Sequence, residues 1–430
     1  MADSTADVVI IGGGIAGCAT AYNLAKLNVK VVIVEKGNIG DEQSGRAWGF
    51  VRQQGRDPVE MPIMIACNKI WQGLSQELNA DLEWVQGGNL ALAKDGESIQ
   101  RFEESVAISR QFGLDTRLLS RDEVRKLIPS LEGPFIGGMY TPGDGHAEPI
   151  KTTTAFARAA QEHGAEIYTG CAAEGIEITG GKVSAVITER GIIRTPVVVC
   201  AAGAWSSKIG RMAGLSLPQR VVRATVAETH PVPPVTQIGV WAPGVSFRQR
   251  PNGSFYIAGG GGSDYDVNLD TFRHLRMFLP NYLKNRGLFR IRVGGELVKD
   301  IGRRLPGSPA RKHPFAHSVG VEPRPNPKTV QRTLKNFVEQ FPSLSSIGIK
   351  RVWAGRIDAT PDAVPVLGEV DKPKGFLFAT GFSGHGFAMG PIVGIIMSQL
   401  IVNGESEFDI HPMRYNRFKE GDLAKPRNVL

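Results

Sequence analysis

Near the start of the chain stands Asp7-Val8-Val9-Ile10-Ile11-Gly12-Gly13-Gly14-Ile15-Ala16-Gly17, and this stretch decides the fold. Val8 to Ile11 is a β-branched apolar run of strand length. The glycines follow at once. Ala16 to Leu27 then reads as a helix, with Ala19, Ala21 and Ala25 allowing close packing on a sheet. Lys30-Val31-Val32-Ile33-Val34 is a second buried strand, and it ends in Glu35. Strand, helix and strand in this order form a βαβ unit, so a parallel sheet is expected.

The glycine spacing gives the unit a chemistry. Gly12 makes the tight turn, Gly14 lets the backbone approach a pyrophosphate, and Gly17 lets helix and strand pack closely. The helix start then offers N–H groups and partial positive charge to phosphates. Glu35, eighteen residues beyond Gly17, suits the ribose hydroxyls of an adenosine. The prediction is one bound dinucleotide. A second unit of this kind is lacking, because Gly259 to Gly262 runs into Ser-Asp-Tyr-Asp and Gly294-Gly295 has no third glycine.

Composition narrows the class. At roughly 150 residues per domain, a chain of 430 residues suggests two or three folding units. With 42% hydrophobic and 21% charged residues it can bury a sizeable core. Fifty Lys and Arg against 42 Asp and Glu leave +8, a mild surplus that suits a solvated basic surface. There is no Lys/Arg-dense arm, so nucleic acid is not an expected partner. Four cysteines (Cys18, Cys67, Cys171 and Cys200) stand apart without a CxxC or Cys/His cluster. That pattern predicts neither a metal site nor a disulfide framework, and it fits a reducing, cytoplasmic setting. Val8 to Ile11 is too short for a signal peptide core, and the apolar stretch around Pro391 to Val402 is interrupted by Gly394, Ser398 and Gln399. No spanning helix of about 20 residues is expected.

Further along, helices are expected over 64–78, 96–112, 152–163 and 387–402, and Ser120-Arg121-Asp122-Glu123 resembles a capping box. A hairpin is read over 82–93 around Gly87-Gly88, and a meander from Ile167 to Thr195 turning at Gly180-Gly181. Residues 217–347 read as β-rich, with a loop at Pro323, Pro325 and Pro327. Phe272 to Leu305 is a basic apolar segment; within it Met277 to Arg292 mixes apolar and basic residues, and a buried helix is its plainest account.

Val8 to Gly17 with Glu35, Ser44-Gly45-Arg46, Ala201 to Ser206, Thr360-Pro361-Asp362 and Ser383 to Gly386 together resemble the D-amino-acid oxidase superfamily. Within it the chain looks like glycine/sarcosine oxidases, D-amino-acid dehydrogenases and L-amino-acid deaminases. The resemblance implies an α/β fold with a Rossmann-type FAD domain and a discontinuous substrate domain on a mostly antiparallel sheet. The FAD domain would comprise 1–51, 147–216 and 348–430, and the substrate domain 52–146 and 217–347.

It also implies an extended FAD. Gly12, Gly14, Ile15, Ala16 and Gly17 would hold the pyrophosphate, and Glu35 with Lys36 the adenosine ribose. Ser44, Gly45, Arg46, Ala47 and Gly49 would follow the ribityl chain, with Ala173 near the adenine. Ala202, Gly203 and Trp205 would sit by the sugar-phosphate, and Gly355, Arg356, Gly384, His385, Gly386 and Phe387 beside the flavin ring. No cysteine lies between Lys350 and Gly368, where the sarcosine oxidase branch tethers its flavin, so noncovalent FAD is expected.

The implied chemistry is oxidation of a C–N bond: hydride transfer to flavin N5, then hydrolysis of an imine. The substrate would be a small-molecule amino acid or amine, with an α-amino acid of apolar or bulky side chain preferred. A secondary or N-substituted amine is one alternative, and a flavin subunit of a larger complex another. The acceptor would be oxygen or quinone. In the deaminase branch the region matching Met277 to Arg292 is linked to the membrane, which implies peripheral contact on the inner face.

A substrate carboxylate calls for a bidentate arginine. The resemblance places that residue at Ile357, or just after Phe255 to Ala258 where Gly259 and Gly260 stand, so the expected clamp is missing. Arg52, Arg248, Arg250 and Arg356 are the candidates, with Arg356 alternatively pairing with Asp358 or Asp362. His385 is a candidate for polarising the amine. Phe50, Tyr256 and Trp353 are candidates for an apolar pocket wall.

Overall fold

A computed structural model describes residues 4–259, 262–308, 313, 315 and 321–425. Gly260, part of the glycine pair after Ala258, lies outside the described residues. The opening βαβ unit forms as its pattern dictates: strand Val8–Ile11, helix Ile15–Lys26, strand Val31–Val34. These strands lie inside a six-stranded sheet ordered Val366–Glu369, Phe376–Thr380, Val197–Cys200, Val8–Ile11, Val31–Val34, Glu166–Tyr168. Every neighbouring pair is parallel except the first.

Both faces of the sheet are covered, which explains the uninterrupted apolar strands. Successive residues alternate between two cores, as a period of two requires. Val8, Ile10, Val31 and Ile33 face a core with helices Ile15–Lys26, Pro149–Glu162 and Gly386–Asn403. Val9, Ile11, Val32 and Val34 face Val183, Val186 and Ile193 of an antiparallel layer. The Ile167-Tyr168 segment leaves the expected meander and extends the parallel sheet beside Val31–Val34. The strand it joins was legible, but the pairing across more than 130 residues left no local pattern.

A ten-stranded, mostly antiparallel sheet forms the second layer. Its longest pairing joins Arg220–Thr229 to Ile349–Ala359. Phe247 and Phe255 from its strands meet Phe337 of the covering helix Pro327–Gln340, and Phe341 just past its end, edge-on and tilted. The expected hairpin over 82–93 does not form. Strand Asn89–Ala93 pairs instead with the distant Gly137–Thr141 and Gly239–Ala242, and Gly87 is pressed against Gln237. The Ser120 capping box forms, with Ser120 Oγ accepting the Glu123 N–H and the Glu123 carboxylate accepting the Ser120 N–H.

Two apolar segments differ in what covers them. Helix Gly386–Asn403 is long and apolar enough to cross a membrane, with 61% of it buried inside the molecule. It is the core helix of the parallel layer, packed on Ile15 and Ala19 so closely that a Cβ at Gly390 or Gly394 would collide with them. Conversely, the stretch from Met277 to Arg292 is not a buried helix, and the exposure extends over the wider segment from 272 to 305. Helix Gly295–Arg304 buries no residue, and helix Leu275–Asn285 buries only Phe278 and Asn285. Phe272, Leu283 and Val298 are 61%, 58% and 70% exposed. An amphipathic pattern reads alike whether its apolar stripe meets protein or something else.

Candidate functional site

A cavity of about 560 Å³ lies where the two layers meet, lined from both. Its phosphate-facing part is built by the βαβ turn. Gly12 sits at φ +119°, and a Cβ there would stand 2.4 Å from the Ala201 carbonyl oxygen. A Cβ at Gly17 would stand 2.1 Å from the Gly12 oxygen, so only glycine lets the helix start this near the strand. Gly14 would meet only Ser44 Oγ, which itself accepts the Ile15 N–H at 2.9 Å. Gly14 supplies no side-chain cap and no acid occupies the first turn of the Ile15–Lys26 helix, so apart from the Ile15 N–H held by Ser44 its dipole is left for an anion.

Glu35 lines the same cavity. Its carboxylate accepts the Gly13 and Gly37 N–H groups, both at 2.7 Å. Burial pushes its pKa up while those N–H groups pull it down. Each oxygen retains a lone pair for a hydroxyl donor such as a ribose. Ile15, Ala16, Lys36, Ser44, Arg46, Ala47, Gly49, Ala173, Ala202, Gly203, Trp205 and Gly355 also line the cavity. Gly17 and Gly45 do not. They are packing glycines, Gly45 against the Gly40 carbonyl.

Across the cavity, Gly384, His385, Gly386 and Phe387 begin the long core helix. Ser383 and Gly384 have φ of +51° and +92°, which turns the chain sharply from strand Phe376–Thr380 into that helix. This helix start also has no side-chain cap. Two open helix N-termini thus face one cavity, fitting a ligand with a pyrophosphate at one place and an electron-rich ring at another.

The four candidate arginines separate clearly. Arg248 is fully buried, donating to the Trp48 carbonyl and pairing with Glu148 at 3.2 Å. Arg250 pairs with Glu83, Glu148 and Glu228 at 2.9, 3.0 and 3.3 Å. Neither lines the cavity. Arg356 does, yet it is committed to Glu42 at 3.1 Å rather than to Asp358 or Asp362. Asp358 is taken by Gln43, Gln219 and the Gly381 N–H, and Asp362 by Arg417. Glu42 also holds Lys36 at 2.7 Å. Tyr256 and Trp353 stand outside the cavity as well, bonded to Glu148 and the Arg46 carbonyl. The buried carboxylates explain these corrections, because each needs a cation or donor of its own.

Arg52 remains. It lines the cavity, donates to the Gln54 carbonyl, and lies 4.9 Å from the Trp241 ring centre. Burial first, and neighbouring Arg56 second, lower its pKa to about 9, so it stays charged at neutral pH. Trp241 packs on Phe50 and Trp48 at 5.0 and 5.6 Å, making an aromatic wall beside the guanidinium. Ile357 lines the cavity too.

Sequence reasoning missed Trp48, Trp241, Arg56 and Glu60. Arg56 lines the cavity, and its Nε donates to the Arg52 carbonyl at 3.0 Å. Glu60, 1% exposed, reaches His385 Nδ1 at 3.2 Å and Arg56 at 3.8 Å. The regular spacing of Arg52, Arg56 and Glu60, four residues apart, was an available signal.

A parallel Rossmann-type sheet, a glycine turn with its terminal acid, and a second helix start across the cavity define a flavin-dependent oxidoreductase. The model of the FAD-dependent oxidoreductase family matches residues 7–400, and the chain belongs to that family. It is an enzyme class whose cofactor is FAD. Among curated relatives it is 28% identical over 426 residues to a mitochondrial sarcosine dehydrogenase of Mus musculus, with 96% of this chain aligned to 42% of that protein. It is 26% identical to glycine oxidase of Geobacillus kaustophilus, covering 96% of this chain and 97% of the relative. Among solved structures, L-amino acid deaminase from Proteus myxofaciens superposes with a TM-score of 0.90 at 27% identity, covering 96% of this chain and 94% of that one. The chain spans less than half the length of the sarcosine dehydrogenases it matches.

Proposed function

We propose that this protein oxidises the C–N bond of an α-amino acid with an apolar or bulky side chain, using noncovalently held FAD. The observation that carries the reading is Arg52, a buried charged guanidinium beside an aromatic wall in the cavity that the Gly384–Phe387 turn also lines. When bound, FAD would supply the hydride acceptor that converts the amine to an imine, which water hydrolyses. The chain's own residues do the rest. Arg52 would hold the carboxylate. Phe50, Trp48 and Trp241 would seat the side chain and exclude water. His385 would face the amine, and the open start of helix Gly386–Asn403 would stabilise negative charge on the ring.

A second reading, oxidation of N-methyl or other secondary amino acids, is favoured by the sarcosine enzymes among full-length relatives. Purified, FAD-loaded chain incubated with glycine, sarcosine, L- and D-alanine, and L- and D-phenylalanine separates the two. Ammonia and a 2-oxo acid from the primary amino acids support the first; turnover of sarcosine alone, to glycine and formaldehyde or to methylamine and glyoxylate, supports the second. No turnover with FAD retained would favour a subunit of a larger complex.

The exposed apolar residues Phe272, Leu279, Leu283 and Val298 stand among Arg273, Arg276, Lys284, Arg292 and Lys299. That mixture supports peripheral contact with an anionic membrane on its cytoplasmic face and a quinone acceptor there, with oxygen as the alternative. Co-sedimentation with phosphatidylserine vesicles, absent with phosphatidylcholine and lost in Phe272→Ser/Leu283→Ser, is the expected result.

A further inference from the structure

Outside the phosphate cradle, buried Arg52, Arg56 and Glu60 gather with the part-buried His385, drawn from the 52–60 segment and the start of the final helix. Glu60 immediately precedes helix Met61–Glu77, and its carbonyl accepts the Met64 N–H, so its backbone is fixed by the helix it begins. Its carboxylate is 1% exposed: Oε1 is hydrogen-bonded to His385 Nδ1 at 3.4 Å, and Oε2 lies 3.2 Å from the same nitrogen without a hydrogen bond of its own. On the other side it meets only Arg56, at 3.8 Å, a loose pairing that leaves Arg56 Nη1 without a hydrogen bond. Arg52 and Arg56 are the cations near this pair, and the Asp144 carboxylate acts on both arginines.

An ionised carboxylate has only acceptor sites, so the hydrogen in the Glu60–His385 contact belongs to Nδ1. The neutral ring then carries its lone pair on Nε2. His385 Nε2 makes no hydrogen bond among the described residues, and the residue lines the cavity that Arg52 lines. Burial first, and the Arg56 charge second, lower the His385 pKa to about 4 despite the opposing pull of Glu60, so the ring is neutral at physiological pH. A neutral ring whose tautomer is imposed from behind is an acceptor of fixed direction. An amine held by its carboxylate at Arg52 needs such an acceptor to orient its N–H and aim its Cα–H at the flavin.

We infer that Glu60 is a positioning residue that locks His385 as the Nδ1–H tautomer, so that Nε2 accepts a hydrogen bond from the substrate nitrogen. The inference rests on the proposed oxidation of a carboxylate-bearing amine. The tautomer itself does not, and that keeps the two failures apart.

The test uses FAD-loaded protein labelled with [15N]histidine. Long-range 1H–15N correlation at neutral pH reports which ring nitrogen bears hydrogen, and the His385 signals are assigned by their loss in His385→Asn. In wild type, Nδ1 should carry the hydrogen and Nε2 should show the shift of a bare acceptor nitrogen. Glu60→Gln, whose amide oxygen still accepts from Nδ1, should keep that pattern, whereas Glu60→Leu should lose it. With the panel amine that bleaches the wild-type flavin fastest, Glu60→Leu should lower the limiting reduction rate by about 10²-fold, with Glu60→Gln restoring most of it. FAD affinity, read by flavin fluorescence, should be the same in all three. An Nε2–H tautomer in the wild type overturns the inference, even if Glu60→Leu proves insoluble. Equal reduction rates in wild type and Glu60→Leu overturn it too. Absence of any flavin reduction alongside the Nδ1–H tautomer would instead refute the oxidation reading and leave the locked ring standing.

Discussion

Replacing Gly17 by alanine should weaken the fold and the cofactor site together, by an amount the geometry bounds. The added Cβ would stand 2.1 Å from the Gly12 oxygen and 3.3 Å from Ile10 Cγ2. Ordinary contact begins about 3.4 Å away, so the helix start must retreat by roughly 1 Å or more from the strand end. Overpacking of this kind costs about 1–3 kcal/mol. The same retreat carries the Gly14, Ile15 and Ala16 N–H groups away from the cavity, which should weaken FAD binding by about tenfold or more, since ~1.4 kcal/mol is a factor of ten. Gly96→Ala is the matched control, because nothing stands within 4 Å of a Cβ there. Urea unfolding of the FAD-free chain reads the first effect and flavin fluorescence titration the second. Identical urea midpoints and FAD affinities for Gly17→Ala and Gly96→Ala would refute the close-approach argument.

Other perturbations test other parts. Arg52→Ala should raise KM for carboxylate substrates by about 10²-fold with FAD affinity unchanged, as loss of a charge-assisted bidentate contact implies; steady-state kinetics checks it. Arg417→Met strips the buried Asp362 carboxylate of its bonds at 2.9 and 3.1 Å and should cost about 3–5 kcal/mol in urea unfolding. Adding Asp362→Asn should return part of that loss. His146 is buried, and burial with the nearby Arg248 charge lowers its pKa from 6.5 to about 3. A depressed histidine favours the folded state above its unfolded pKa and loses that contribution as pH falls. From pH 7 to 5 it should remove about 2 kcal/mol of stability, and His146→Phe should flatten that slope in urea midpoints.

The parts legible in the sequence share one property, which is that their determinants lie close together along the chain. Val8 to Glu35 holds strand, turn, helix, strand and acid in one short span, so Gly12 and Gly17 announced their roles directly. The Ser120 box needs only Glu123, three residues on. By contrast, Arg248 and Arg250 resembled free anchors because Glu148 and Glu83 lie 100 and 167 residues away. Arg356 finds Glu42 across 314 residues, and Glu60 finds His385 across 325. Which arginine faces a cavity is decided by which acids are already buried beside it. That is a property of the folded core and leaves no local pattern. The stretch from Met277 to Arg292 failed for another reason, since its apolar stripe has the same period whatever covers it.

The most direct test of the account compares an amino acid with its own amide. FAD-loaded chain is mixed anaerobically, in a stopped-flow instrument, with the panel amino acid it oxidises best and with the corresponding amino acid amide. With Arg52 holding a carboxylate, the acid should bleach the flavin at least about 10²-fold faster at equal, subsaturating concentration. Bleaching by the amide at an equal or greater rate would contradict the account.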